Sequence, residues 1–399
     1  LSSHHTFTTD TDTEVLVHLY EEHGPAFVEH LRGMFAFALW DASNRRLLLA
    51  RDRMGIKPLL FADNGDRVAF SSELPALLES GVDHGGLDEG AVSEYFGFGH
   101  ISAPRTIFRN VRKLRPGELA IVDEGGLERK QFDTPSVEST DVSFEDAAGE
   151  LRRRIDDAVE RRLMSDVPLG AFLSGGIDSS VVVGTMADLM DEPVPTFTVG
   201  FDQSLFDESW AAREVAEFNE TDHTEFTVTA DEVRDAIPAV LDRLGEPFAD
   251  QSLIPTYIVS RETSRDVKVA LSGDGADELF AGYSKYRGEY YSKYYRQFPK
   301  SIRSNLIAPA LNSLNASRSN QRGEIVRKAQ KFLRGDSEEI STRHLEWNRI
   351  SDDDTSTAFL VDDPGEVGRE QLREEHRQAM KELPPDRQDD MSRMLTVDA

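Results

Sequence analysis

The sequence predicts a mixed α/β protein in two parts: an antiparallel, layered part, then a parallel sheet covered by helices. Three observations predict it. Up to residue 131, apolar strand runs are separated by tight turns, the pattern of antiparallel sheets. Beyond residue 143, strand and helix patterns alternate, which argues for parallel strands joined by crossover helices. Two of these later strands run into Leu-Ser-Gly, at Leu173-Ser174-Gly175 and Leu271-Ser272-Gly273. Open α/β sheets bind their ligands beyond the carboxyl ends of the strands.

Residues 13–22 read as a helix, with Val15, Leu16 and Leu19 on one face and Asp12 as N-cap. Strands are expected over 34–40, 46–51 and 68–71, with a turn at Asp63-Asn64-Gly65-Asp66. Pro116-Gly117 turns the chain into a strand over 118–122. The stretch 131–143 carries prolines, serines, threonines and aspartates and is the expected linker, so residues 1–135 and 145–399 are read as the two domains. Later strands are expected over 169–173, 196–201, 225–228 and 267–271. Helices are expected after Ser179, over 208–218 and 233–244, and through Leu279 and Phe280. Residues 284–399 read as mostly helical and polar, with aromatics concentrated between Tyr283 and Phe298.

The chemistry concentrates in the two Leu-Ser-Gly loops. In Leu173-Ser174-Gly175-Gly176-Ile177-Asp178-Ser179-Ser180, two glycines allow a tight turn and close backbone approach to a ligand. The helix that follows offers N–H groups to phosphate. Asp178 would repel bare phosphate, so its presence suggests a bridging magnesium ion. The bland alternative is a glycine turn with a serine or aspartate cap. No lysine follows the glycines, which excludes the common Gly-Lys-Ser/Thr phosphate loop. The second loop, Ser272-Gly273-Asp274-Gly275-Ala276-Asp277-Glu278, repeats the design after a second buried strand. Two such loops at strand ends can grip one nucleotide and its metal from two sides.

These two motifs, SGGIDSS and LSGDGADELFAGY, resemble the ATP-pyrophosphatase domain of glutamine-dependent asparagine synthetases. Gly33 to Asp41, Ala50 to Leu59 and Phe70-Ser71-Ser72-Glu73 resemble the second half of that family's glutaminase domain. The resemblance runs from about Phe7 to about Tyr283, with the motifs in order. It implies a partial α/β/β/α N-terminal-nucleophile-type glutaminase domain, then an adenine nucleotide α-hydrolase-like domain. It also implies truncation at both ends. The family's nucleophilic cysteine, whose thiolate attacks the glutamine amide, would precede Leu1, and its phosphate-binding lysine segment would follow Ala399.

The reaction implied is attack of a carboxylate on the α-phosphate of ATP, then displacement of AMP by ammonia. The family's positions carry over as Ser174, Gly175, Gly176, Ser179 and Ser180 on the pyrophosphate, and Asp178 and Asp277 on Mg2+. Leu173, Val199, Ser272 and Gly273 fall at adenylate-contacting positions, although Leu173 and Val199 are equally explained by core packing. Asp274 is the candidate catalytic residue, orienting the acceptor or acting as base. Asp12 is the one glutamine contact that falls on a matching position. Residues 245–252 form a candidate acceptor loop, with Glu246, Asp250 and Asp274 as partners for an acceptor amine; a proline turn explains the same loop. Arg51-Asp52-Arg53 reads as an ion cluster at the domain interface. Aspartate is the expected acceptor. The runner-up is another carboxylate on a sugar or peptide precursor, and a third reading is a nucleotide-binding protein that has lost chemistry.

Composition bounds the partners. The net charge is −28, from 73 acidic and 45 basic residues, which disfavours nucleic acid. Acidic runs such as Asp352-Asp353-Asp354, Asp362-Asp363 and Asp389-Asp390 suggest a surface suited to high intracellular salt; an ordinary acidic enzyme is the alternative. With 39% hydrophobic residues two cores can form, and no run approaches a membrane span. No cysteine is present, so disulfides and thiolate metal sites are excluded in this sequence. A cytoplasmic enzyme using ATP, glutamine and aspartate is expected, with a homodimer as one assembly the resemblance allows.

Overall fold

Alternation along the strands sorts the apolar side chains of the first half onto opposite faces. The computed structural model describes residues 1, 3–133, 141–201, 208–315, 321–351, 365–381, 383 and 390–398. Strands β1 (Ala36–Asp41), β2 (Arg46–Arg51), β6 (Glu118–Asp123) and β7 (Gly126–Gln131) form one antiparallel sheet in the order β1-β2-β6-β7. Strands β3 (Leu60–Asp63), β4 (Val68–Ser71) and β5 (Val111–Lys113) form a second, in the order β4-β3-β5. Leu48, Ala50, Leu119 and Ile121 point to the helix Thr13–His23, with Phe27 and Val28. Their neighbours Leu49 and Ala120 point the other way, onto Leu59 and Phe61 of the second sheet. The far face of that sheet, with Leu60, Ala62 and Val111, takes Leu74 and Leu77 of the helix Leu74–Glu79. The result is the expected α/β/β/α stack. Each fully buried leucine in it contributes about 1.5–3 kcal/mol.

Several elements escaped the sequence pattern. Strand β7, Gly-Leu-Glu-Arg-Lys-Gln, is an exposed edge with only Leu127 turned inward, so no alternation announced it. The strand expected from residue 34 starts at Ala36. Asp12 does not cap its helix: its backbone is already helical and its side chain accepts no capping bond. Thr11 takes that place, its Oγ1 accepting the N–H of Thr13 at 3.2 Å.

The Arg51-Asp52-Arg53 cluster is not a domain-interface ion group. Asp52 is 1% exposed and folds the loop that follows it. Its carboxylate accepts the N–H groups of Lys57 at 2.9 Å, Ile56 at 3.0 Å and Met54 at 3.2 Å, and that of Phe35 at 3.3 Å. Arg51 donates to the carbonyls of Gly55, Lys57 and Leu114. Arg53 stays in the same domain, pairing with Asp133. Unpaired buried N–H groups each carry a desolvation cost. Asp52→Ala is therefore expected to destabilise the protein by on the order of 3 kcal/mol, measured as a shift of the urea midpoint at unchanged slope.

The second half holds the parallel sheet. Strands β8 (Leu169–Phe172), β9 (Pro195–Phe201), β10 (Asp222–Val228) and β11 (Val269–Leu271) run in the order β10-β9-β8-β11, all parallel. One face packs Ala171, Leu173 and Leu271 against Val183 and Met186 of the helix Ile177–Leu189, Ala212 and Ala216 of Ser209–Phe218, and Val159 of Phe144–Leu163. The other face packs Val199 and Val228 against Ala236 and Ile258, from the helices Ala230–Leu241 and Leu253–Thr263. The linker expected over 131–143 falls largely on 134–140, outside the described residues, as do the 352–354 and 362–363 acidic runs and Asp389.

A helical region follows, built on Tyr286, Ile340, Trp347, Met380 and Met394. The two halves are joined by more than the linker. Phe98, from the helix Glu89–Phe98 of the first half, packs with Leu345 and Leu372 of this region. Ile350 donates its N–H to the Gly97 carbonyl at 2.9 Å, and Ala249 donates to that of Gly99 at 2.8 Å.

Candidate nucleotide site

The strand order decides where the two loops go. From β8 the chain moves outward to β9 and β10, then returns to place β11 on the other side of β8. That reversal is a topological switch point, where α/β sheets hold ligands. The loops flanking it are the two Leu-Ser-Gly motifs, 98 residues apart and on neighbouring strands. They touch backbone to backbone. A Cβ added to Gly273 would lie 2.7 Å from the Ser179 nitrogen and 2.8 Å from the Asp178 carbonyl carbon, so only glycine lets the second loop sit against the mouth of the helix Ile177–Leu189.

Within the first loop the serine hydroxyls bond inward. Ser179 Oγ accepts the Ser174 N–H at 3.2 Å and lies 3.0 Å from Ser174 Oγ, while Ser180 Oγ donates to the Gly176 carbonyl at 2.6 Å. These hydroxyls shape the loop, which leaves the first-turn N–H groups of Ile177 and Asp178 as its candidate outward donors, the Ser179 nitrogen being covered by Gly273. The two glycines do different work. Gly175 has φ of +78°, and its missing Cβ makes room for Ala211 and Ala212, at 2.5 Å from the Ala212 nitrogen. Gly176 has ordinary backbone geometry, φ −69°, and a Cβ there would meet only Ser174 Oγ, at 3.3 Å. Gly176→Ala is expected to change stability by no more than about 0.5 kcal/mol. A fall in ATP affinity in that variant, read by titration calorimetry, would report crowding of the ligand alone.

The carboxylates converge. Burial, together with the nearby charges of Asp178 and Glu278, pushes the Asp277 carboxyl above its ordinary value. Two hard oxygen donors held close at a helix mouth fit Mg2+. Asp274 stands exposed at the tip of the second loop, its Oδ2 accepting from Ser272 Oγ at 2.9 Å. Beside this loop opens a cavity of about 1060 Å³. It is lined from the first half by His100 and Ser102, from the second loop's helix by Glu278, and from the helical region by Lys285, Lys328 and His344.

Residues 150–399 match the family model described as asparagine synthase, and residues 1–133 match that of a glutamine amidotransferase domain. The chain belongs to the asparagine synthase family. It is 36% identical over 304 residues to asparagine synthetase [glutamine-hydrolyzing] 1 of Bacillus subtilis, covering 76% of this chain and 48% of that protein. It is 36% identical over 294 residues to the asparagine synthetase [glutamine-hydrolyzing] of Sandersonia aurantiaca, covering 70% and 50%. With the amidase chyE of Penicillium rubens it shares 30% identity over 367 residues, 86% of this chain and 54% of that one. The chain thus spans about half the length of the curated relatives it matches.

The structure places the remaining expected site residues as follows. Leu173 is 1% exposed and packed in the core, with its N–H donated to the Phe197 carbonyl and its own carbonyl accepting from Thr198 Oγ1. Val199 packs under Ile258 on the far face of the sheet. Both make the core packing expected of them. Glu246 is not an amine partner: its carboxylate pairs with Lys113 Nζ and accepts the Ile107 N–H at 3.3 Å, so it ties the two halves together. Gly245 presses on Leu74 and Pro75 at the same joint. Asp250 does line the cavity, with Oδ1 accepting the N–H and hydroxyl of Ser252. Asp12 is exposed and lies apart from the sheet, at the start of the first helix. The cationic side of the cavity, Lys285, Arg287 and Lys328, had no signal in the sequence beyond the aromatic-rich stretch that contains Lys285 and Arg287.

Proposed function

We propose that this chain belongs to a glutamine-hydrolysing asparagine synthetase, an ATP-dependent carbon–nitrogen ligase. In this reading the aspartate side-chain carboxylate attacks the α-phosphate of ATP and expels pyrophosphate. Ammonia then attacks the acyl carbon and releases AMP, leaving asparagine. The observation that carries it is the backbone contact of the two motif loops, Gly273 against Asp178 and Ser179, at the switch point of one parallel sheet. The N–H groups of Ile177 and Asp178, with the hydroxyls of Ser174, Ser179 and Ser180 around them, bind the departing pyrophosphate, whose growing charge such preorganised donors stabilise most. Asp178 and Asp277 hold Mg2+, which when bound neutralises phosphate charge. Gly176 leaves room for the pyrophosphate, Ser272 and Gly273 border the adenylate, and Asp274 orients the acceptor or takes a proton from the incoming ammonium. Asp12 contributes to a glutamine pocket in the first domain, with residues 1–135 as the glutaminase part and 145–399 as the synthetase part.

The cavity beside Glu278 is the candidate acceptor site in this reading. Its volume of about 1060 Å³ exceeds what aspartate fills and favours a second reading, a larger carboxylate acceptor. Full-length protein incubated with ATP, magnesium, ammonium and aspartate is expected to yield asparagine, AMP and pyrophosphate in equal amounts. ATP turnover that ignores aspartate but responds to another carboxylate would give the second reading precedence. No helix among the described residues is long and apolar enough to cross a membrane. That, with the acidic surface, supports a cytoplasmic enzyme of small-molecule substrates, adapted to high salt.

A further inference from the structure

The helix Thr13–His23 and the segment leading into it hold a group of side chains that the proposed reaction does not use. His5, His18 and Glu21 each offer one ligand atom, and these atoms lie within 4.8 Å of one another. Glu21 Oε2 is 3.1 Å from His18 Nδ1 and 3.4 Å from His5 Nδ1. Ligands bound about 2.0–2.2 Å from a tetrahedral metal stand roughly 3.3–3.6 Å apart. Both contacts are close to that spacing.

The surroundings follow the same design. A metal-binding histidine turns its other ring nitrogen toward a carboxylate or carbonyl, which fixes the ring and its tautomer. His5 Nε2 lies 3.0 Å from Glu22 Oε1, and His18 Nε2 faces Glu14 Oε1 at 3.6 Å. Glu14 is itself pinned, accepting the N–H of Thr8 at 2.8 Å, the N–H of Thr9 at 2.7 Å and both threonine hydroxyls. Three of the four ring nitrogens lie within 3.4 Å of a carboxylate oxygen, and the fourth, His18 Nε2, is buried with no hydrogen-bond partner. The two rings lie with centroids 4.5 Å apart and turn Nδ1 toward the same Glu21 oxygen.

We propose that His5, His18 and Glu21 bind one divalent transition-metal ion of the zinc class. His18 and Glu21 stand three residues apart on one helix face, and His5 brings the preceding segment onto them. The ion clips residues 3–9 to the helix. Two imidazoles and a carboxylate suit Zn2+ and not Mg2+, which separates this site from the carboxylate pair of the nucleotide loops. Three protein ligands leave a fourth position for water.

The test is titration of the metal-stripped chain with Co2+, followed by displacement with Zn2+, beside the variants His5→Gln, His18→Gln, Glu22→Gln and His30→Gln. One equivalent of Co2+ should bind, with a visible d–d band that Zn2+ abolishes. Either ligand variant should weaken binding at least about 100-fold, and Glu22→Gln about 10–100-fold. His30→Gln, in the neighbouring turn, should bind as the parent does. Zn2+ should raise the Tm of the parent and not that of His18→Gln. His5 lies outside any helix, so His5→Gln decides the matter if His18→Gln is misfolded. Absence of saturable uptake at micromolar Zn2+, or uptake that survives His5→Gln in a folded chain, would overturn the proposal.

Discussion

Asp178→Asn is expected to abolish magnesium-dependent ATP binding while leaving the fold intact. The substitution keeps the shape and removes one of the two anionic oxygen donors at the mouth of the helix Ile177–Leu189. Even an outer-shell partner of a metal is worth about 10–100-fold in affinity, so loss of a direct ligand should cost about 100-fold or more. Asp277→Asn should do the same. Neither variant should lower the Tm of the metal-free protein, because each relieves the repulsion that Asp178 exerts on Asp277. In the absence of magnesium, the variants should bind ATP no more weakly than the parent. Titration calorimetry with and without magnesium checks both statements. Unchanged affinity with magnesium present would remove the assignment of these carboxylates, and with it the support for the adenylation chemistry.

Gly273→Ala should damage the site through a single methyl group. The new Cβ would sit 2.7 Å from a backbone nitrogen and 2.8 Å from a backbone carbon of the opposing loop, where no side chain can swing aside. Forcing atoms into a packed contact of this kind costs about 1–3 kcal/mol. The functional loss should be larger than the stability loss, because separating the loops also separates Asp178 from Asp277, and an ion cannot hold both at once. Gly176→Ala is the matched control from the same motif: its Cβ would meet only the Ser174 hydroxyl, at 3.3 Å, and its φ is ordinary. Equal stability and ATP affinity for Gly273→Ala and the parent would mean that the loops do not touch in solution.

Much of this was legible in the residues. The apolar runs Leu47 to Ala50 and Leu119 to Ile121 mark strands without any structure, whereas the face each residue takes is set by the packing of the two sheets. The two glycine- and aspartate-rich loops mark strand-to-helix turns, because few other residue types tolerate such tight geometry beside a ligand. The less legible elements have physical reasons. Strand β7 is an exposed edge whose charged side chains carry no period. The helix Phe144–Leu163 buries only Val159, and its exposed face is laced with ion pairs such as Arg152–Asp156 and Arg161–Asp157, so its apolar stripe is thin.

Side-chain roles divided in the same way. Composition marked Asp52 and Glu246 as acids among polar neighbours, and nothing local distinguished either from a catalytic group. One proves to organise a loop through four backbone N–H groups, the other to bridge two domains through Lys113. Motif, turn chemistry and hydrophobic period are local properties, carried by residues a few positions apart, and they specified the two fold types and the loops that bear the chemistry. The meeting of Asp178 with Asp277, the cavity shared by His100, Glu278 and Lys328, and the closeness of His5 to Glu21 are contacts between distant or separately folded segments. They depend on strand order and on the faces the helices bury, which pack only once the whole chain has folded.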